Sequence, residues 1–409
     1  MRLPAGLPCA ISLYSIQCSV SERNVRVMRF SVLIFALASL NFYAVSRILF
    51  RWPWALAHPG IAWTGALVFF LLQIACPFIG RRFFPAKKKS GVFTLVLNWA
   101  SYGAFGLMSL LVMYGFATDL MNLGWKFASL PSETARIDGL TFVILAAITA
   151  ASIIIGVGQA HLGPAVVRVD IPLKNLPEAF DGFTIAQVSD LHVGPTIRRR
   201  YTQNVVNIVN GLKPDLIALT GDFIDGTVPD LAPHVAPLAD LRAPKGIFFV
   251  TGNHEYYWNA PEWVEEFKRL GARVLANEHE VIHRHGGAIV IAGVTDYSTR
   301  GTGWRDASSP QKALADAPAG LPRILLAHQP ASYVEAQKAG ADLQLSGHSH
   351  AGQYFPFSLI IRFFQRFYKG LNRHENMWVY VNKGTGYWGP PLRLGVPAEI
   401  TLITLRRES

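Results

Sequence analysis

Residues 184–194 read TIAQVSDLHVG, a short apolar run, Thr184–Val188, that stops at Ser189-Asp190-Leu191-His192. Four to eight apolar residues bounded by polar punctuation read as a buried strand. The same unit recurs downstream. Leu216–Leu219 runs into Gly221-Asp222, and Ile247–Val250 into Gly252-Asn253-His254-Glu255. Ile324–Ala327 ends at His328, and Leu343–Leu345 precedes Gly347-His348-Ser349-His350. Ala288–Ala292, Trp378–Val381 and Ile400–Thr404 complete the strand candidates, and Arg199–Leu212 and Pro261–Leu270 read as helices between them. Strands alternating with helices predict an α/β domain over residues 161–409. Ligands of open α/β sheets collect at the carboxyl ends of strands, so five strand ends offer Asp, His and Asn to one region.

Asp190 and His192 are two residues apart, as are His348 and His350. In extended chain such pairs face one side, so each pair can present two side chains to one ion. Alone, each motif is an ordinary loop, turn or helix cap; the ordered series, each after an apolar strand, is what carries weight. The set Asp190, His192, Asp222, Asn253, His328, His348 and His350 offers nitrogen and oxygen donors without sulfur, which suits Mn, Fe or Zn. Seven donors exceed one tetrahedral ion and fit two divalent metal ions sharing a carboxylate, for which Asp222 is the candidate. Two such ions can clamp both oxygens of a phosphoryl transfer and acidify a bridging water. Glycines beside Asp222, Asn253 and His348 permit tight turns.

The first half is different. Hydrophobic residues make up 51% of the 409 residues and charged residues only 16%, well below the quarter usual in soluble domains. Four apolar stretches, about Phe30–Leu49, Gly60–Ile79, Gly91–Ala117 and Leu140–Val157, approach or exceed the roughly 20 residues of a membrane-spanning helix. They predict an all-α transmembrane region of about four helices over residues 30–160. Arg47 sits at the end of the first, placed to snorkel, and Trp52, Trp54, Trp63 and Trp125 fall near span ends. The loop RRFFPAKKK, with Arg81, Arg82, Lys87, Lys88 and Lys89, is read as cytoplasmic by its charge. Four spans then place both termini, and the second half, on the cytoplasmic side. Residues 1–29 show no clean signal-peptide pattern, and Met28 is a second candidate start. Cys9, Cys18 and Cys76 form no readable disulfide or zinc framework.

The ordered set DLH, GD, GNHE, H and GHSH resembles the calcineurin-like metallophosphoesterase superfamily across roughly residues 165–405. LPEAFDGFTIAQVSDLHVG, TGNHEYYW, LANEH, IAGVTD, GHSHAGQYFPF and YVNKGTGYWGPPLRLGVPAEITLITL are similar to its membrane-associated branch typified by the YkuE and YaeI proteins. The resemblance implies a four-layer sandwich, two mixed sheets flanked by helices. It implies that Asp190, His192, Asp222 and His350 hold one metal, and that Asp222, Asn253, His328 and His348 hold the other. His254 is then no ligand but a catalytic group at the leaving oxygen. The expected activity is hydrolysis of a phosphomonoester, phosphodiester or pyrophosphate bond. The four spans depart from a branch whose members often carry one anchor or an export signal.

Of the net charge of +11, residues 1–160 contribute +9 and residues 161–409 only +2. That near-neutral half speaks against the alternative of a nuclease, since phosphate-backbone binding needs clustered positive charge. A receptor or regulatory protein keeping the metal site is the other alternative. The partners expected are a phosphate-ester substrate and the membrane, the bacterial inner membrane in particular. A phospholipid or lipid-linked phosphate is favoured as substrate because of Tyr354–Lys369, YFPFSLIIRFFQRFYK. On a helix Arg362, Arg366 and Lys369 share one face and phenyl rings crowd the rest, a pattern that lies in the headgroup region.

Overall fold

The structure is a computed structural model and describes residues 31–47 other than 33, 53–74, 92–127, 139–300 and 306–408. Twelve strands form two six-stranded sheets. They are β1 Ala165–Leu173, β2 Thr184–Val188, β3 Leu216–Leu219, β4 Ile247–Phe249, β5 Arg273–Val274, β6 Glu278–Arg284, β7 Gly287–Gly293, β8 Arg323–Leu326, β9 Leu343–Ser346, β10 Gly370–His374, β11 Met377–Val381 and β12 Glu399–Arg407. The first sheet runs β1-β12-β2-β3-β4-β5 and the second β10-β11-β9-β8-β7-β6. Both are mixed: β2 to β5 run parallel with β12 antiparallel beside β2. In the second sheet β7, β8, β9 and β11 run parallel, flanked by antiparallel β6 and β10.

Period-two alternation builds the layers. In β2, Ile185 joins a core with Ile289, Ile324 and Leu343 of the other sheet. Its neighbours Ala186 and Val188 face the opposite way, toward Val205 and Val209 of the helix Arg199–Leu212 and Trp263 and Phe267 of the helix Ala260–Arg269. In β8, Ile324 and Leu326 point inward, while Leu325 meets Leu314 and Ala336 from the helices Pro310–Leu314 and Tyr333–Lys338. Helices therefore cover the outer face of each sheet, the sandwich expected. The expected strands all form, Thr184–Val188 and Leu216–Leu219 with the expected ends and the others with ends shifted by one to three residues. β1, β5, β6 and β10 were not anticipated, because they lie at or beside sheet edges and lack an apolar run: β6 reads EHEVIHR and β10 GLNRH.

Among the described residues, two helices are long and apolar enough to cross a membrane, over Val92–Met121 and Val143–His161. Two of the four expected spans therefore meet the length within the described residues, and parts of the first and second stretches lie outside them. Residues 34–47 are helical, and the second stretch forms a 16-residue helix, Pro59–Ile74. The third helix, Val92–Phe127, outlasts its predicted end at Ala117, since no proline or glycine-based stop follows. It therefore carries Asp119, which accepts hydrogen bonds from Tyr43 Oη (2.6 Å) and Arg47 (2.5 Å). Arg47 is paired, not simply snorkelling. The loop Arg81–Lys89, residues 1–29, Trp52 and the spans' connecting loops lie outside the described residues.

Contacts divide the chain into two compact units, residues 1–72 with 108–146, and residues 73–107 with 147–409. The second unit joins the sandwich to parts of two apolar helices. Ala160, in the last turn of the helix Gly139–His161, is fully buried in the core with Val205, Tyr387 and Ile400. The Arg393 N–H donates to the Gly156 carbonyl at 3.0 Å. Leu392 fills a notch at two helix glycines: a Cβ on Gly106 would stand 2.7 Å from Leu392 Cδ1, and one on Gly156 3.0 Å from Cδ2.

The segment Tyr354–Lys369 is not one helix. It forms two short turns, Phe357–Ile360 and Ile361–Phe363, with no buried residue in either. Phe363 and Phe364 are about three-quarters exposed, and Leu359, Ile360, Phe355 and Phe357 are also exposed. Phe367 departs from the membrane-facing expectation: it is buried and packs edge-on against Tyr333.

Candidate metal centre

The motifs follow the carboxyl ends of β2, β3 and β4 in one sheet and β8 and β9 in the other, and six of the seven candidates meet there in close groups. Convergence depends on unusual backbone. Asp190, His192, Asp222, His348 and His350 all have φ between 49° and 70°, the left-handed region that costs a non-glycine residue about 1–2 kcal/mol. Asp190 and His192 are therefore not in the extended conformation their spacing suggested. The glycines act mostly through space. A Cβ on Gly347 would lie 2.0 Å from Ser189 Oγ, and one on Gly252 2.2 Å from Asp222 Oδ1.

Three groups of donor atoms result; one joins His192, Asp225 and His254, and the other two consist of ligand candidates alone. Asp190, His192 and His350 bring donor atoms together, and so do Asp222, His328 and His348. His348 and His350 thus fall in different clusters, as the resemblance implied and not as their spacing alone suggested. In the first cluster His192 Nε2 faces His350 Nε2 at 3.0 Å, and His350 Nε2 lies 3.4 Å from Asp190 Oδ1. In the second, His328 Nε2 lies 3.1 Å from Asp222 Oδ2.

The donors are arranged as metal ligands require. His328 Nδ1 donates to the Thr220 carbonyl at 2.8 Å, so Nε2 is the ring atom aimed at Asp222. Burial opposes a charge on this ring, but Asp222 and then Asp190 hold it well above the usual histidine range, and a cation bound there would take the place of the Nε2 proton. His192 Nδ1 sits 3.1 Å from Asp225 Oδ2, the outer carboxylate that fixes a ligating imidazole. Asn253 Oδ1 is buried without a hydrogen-bond partner, and a carbonyl oxygen so placed is suited to a cation. Burial, reinforced by the His328 charge, depresses His348 to about 4. Burial and the neighbouring Arg393 hold His350 well below the usual histidine range. Both imidazoles are therefore neutral, as ligation demands. Burial alone would raise Asp222, but His328 and His254 outweigh it and keep its carboxylate ionised.

His254 stands beside both clusters without joining either. Its Nδ1 donates to Asp225 Oδ1 at 2.5 Å, and its Nε2 lies 3.8 Å from Asp222 Oδ2. Burial opposes its charge, but Asp222 and then Asp225 overcome this and raise it to about 9. The exposed rings of Tyr257 and Trp388 stand 5.1 Å and 6.0 Å from its ring.

Asp225 was missed from the sequence, and so was Glu255. Asp225 orients both His192 and His254. Its only sequence signal is its place three residues after Asp222. Glu255 is buried and accepts the N–H groups of Asp222 (3.0 Å), Phe223 (2.8 Å) and Gly252 (2.7 Å), tying two motif loops together. Burial and the Asp222 charge push its carboxyl up to about 8. Arg393, fully buried, reaches His350 Nδ1 at 3.0 Å and the Lys383 carbonyl at 2.8 Å.

The calcineurin-like phosphoesterase profile matches residues 183–352. A Danio rerio transmembrane protein with metallophosphoesterase domain is 35% identical over 323 residues, 76% of this chain and 74% of that one. The Bos taurus protein of the same description is 34% identical, over 77% of this chain and 74% of its own length. These shares exceed what residues 161–409 supply, so the likeness extends into the apolar half. Bacillus subtilis YkuE is 33% identical over 56% of this chain and 82% of its own length. The chain belongs to the calcineurin-like metallophosphoesterases. It is a hydrolase acting on phosphoester bonds.

Proposed function

We propose that the chain is an integral membrane phosphoesterase that uses two divalent ions, Mn, Fe or Zn, to cleave a phosphomonoester, phosphodiester or pyrophosphate bond in a lipid-linked substrate. The observation that carries it is the pair of three-residue clusters with His254 beside both. Asp190, His192, Asp222 and His350 hold one ion, and Asp222, Asn253, His328 and His348 the other, with Asp222 shared. Divalent cations there neutralise phosphoryl charge and lower the pKa of water. The chain's own residues do the rest. Asp225 fixes the His254 Nδ1–H, so Nε2 faces the reacting group. Protonated at neutral pH, His254 donates from Nε2 to the leaving oxygen as the phosphorus–oxygen bond breaks. Asp190 and Asp222 stay locked by backbone donors, His348 N–H (3.0 Å) and His254 N–H (2.8 Å) respectively.

The lipid preference is supported by the exposed apolar turns after His350 and by the burial of Ala160 in the catalytic core. The charge of Arg81–Lys89 supports a cytoplasmic catalytic domain in a bacterial inner membrane. The test is turnover of an aryl phosphate and an aryl phosphodiester by purified full-length protein, with elemental analysis after Mn loading. Two metals per chain and Mn-dependent turnover are expected. One metal per chain, or none, sinks the two-ion mechanism.

A further inference from the structure

The three cations of Tyr354–Lys369 do not share a face. Arg366 turns away and lies over the rings of Tyr333 and Phe367. Arg362 and Lys369 instead line a cavity of roughly 270 Å³ together with Lys383, Ser358, Tyr368 and Ala351. Lys383 comes from a different part of the chain, the loop after β11, so the pocket is built by tertiary folding.

Its charge is unbalanced. Lys383 Nζ pairs with Glu399 Oε2 at 2.8 Å, and Glu399 also accepts from Tyr380 Oη (2.6 Å) and Thr401 Oγ1 (2.7 Å). Arg362 and Lys369 contact only rings, those of Phe363 (5.1 Å) and Tyr368 (5.5 Å), and among the described residues neither has a carboxylate in ion-pair range. Two uncompensated cations and a hydroxyl around one concavity fit a phosphate group.

Position relates the pocket to the metal centre. Ala351 follows His350 directly. Lys383 precedes Gly384, where an added Cβ would stand 2.7 Å from His350 Nδ1. The pocket thus lies one chain segment behind a metal ligand. Leu359, Val396 and Pro397 also line it, and the exposed Phe363 and Phe364 follow Arg362 directly in the chain. Cations next to exposed apolar side chains match a headgroup with acyl chains leaving toward the bilayer.

We propose that Arg362, Lys369 and Ser358, with the Glu399-paired Lys383 in the wall, form an anion subsite that holds the phosphate of a lipid headgroup beside the metal centre. This rests on the reading of the chain as a membrane phosphoesterase, but binding there needs no metal. It is tested on full-length protein in maltoside micelles, stripped of metal by chelation, by calorimetric titration with dihexanoyl phosphatidic acid and separately with inorganic phosphate. Phosphatidic acid should bind, and inorganic phosphate at least about tenfold more weakly at equal ionic strength. The double variant Arg362→Gln with Lys369→Gln removes two charged hydrogen-bond donors and should weaken phosphatidic acid binding tenfold or more. Ser358→Glu, which places a like charge in the wall, should do the same. Equal affinity for inorganic phosphate overturns the lipid assignment. No binding by the parent, or unchanged affinity in both variants, overturns the subsite. Aryl phosphate turnover by Mn-loaded parent reports on the metal centre separately: a parent that binds phosphatidic acid but fails to turn over condemns the catalytic reading and leaves the subsite standing.

Discussion

His254 and Asp222 lie 3.8 Å apart and should fail differently when truncated. His254→Ala keeps both metals and loses about 10²–10⁴ in kcat, the usual worth of a general acid. Asp222→Ala loses metal as well. Metal content and single-turnover rates on both variants check the distinction; equal metal loss would move His254 into the ligand set. Asp225 makes a second prediction. Its charge raises His254, so Asp225→Asn lowers that pKa. Activity that needs protonated His254 then falls at lower pH, and the alkaline limb of the kcat profile shifts acidward. An unmoved limb in a variant that retains metal would detach His254 from proton donation. The seven ligand candidates could be picked out because each follows a short apolar strand within a few residues, and six of them meet in two groups in the structure. Asp225 was not legible, since one carboxylate three residues beyond another is common in loops. Nor were the left-handed φ values, which spacing arguments built on extended chain inverted for His348 and His350.

Element by element, interior strands read well and edge strands poorly. β2, β3, β8 and β9 are buried on both faces and are short and mostly apolar, with Gln187 and Gln344 among the buried polar exceptions; β6 and β10 face solvent on one side and borrow their pairing from a neighbour. Helix ends in the apolar half were misplaced for a related reason. Hydropathy marks where a helix can sit in lipid, not where its hydrogen bonding stops, and Asp119 is held inside the helix by Tyr43 and Arg47. The turns Phe357–Phe363 show the converse: the apolar content was legible, but the break into short turns was not. Their exposure predicts that Phe363→Ser with Phe364→Ser lowers the ratio of turnover on micellar phosphatidic acid to turnover on aryl phosphate, by about tenfold or more given about 1.5–3 kcal/mol per phenyl ring buried. Phe367→Ser should instead reduce thermal stability, because its ring is buried against Tyr333. An unchanged substrate ratio in the folded double variant would leave the exposed rings without a membrane role.

For the whole chain, the proposed topology rests on the charge of Arg81–Lys89. A C-terminal fluorescent-protein fusion should glow, and a C-terminal alkaline phosphatase fusion should stay inactive, if the catalytic domain faces the cytoplasm. A strong phosphatase signal would place it on the opposite side. The attachment of that domain has a further consequence for how the protein is retired. Ala160 lies in the catalytic core, the Gly156 carbonyl caps the Arg393 N–H, and Leu392 is seated at Gly106 and Gly156. A protease clipping the chain after Leu162 would not shed a working soluble enzyme. It would leave a greasy socket on the fragment's underside and loosen the loop through which Arg393 steadies His350. Release and inactivation are then the same event, so a single cut at the end of that helix would silence the enzyme rather than set it free.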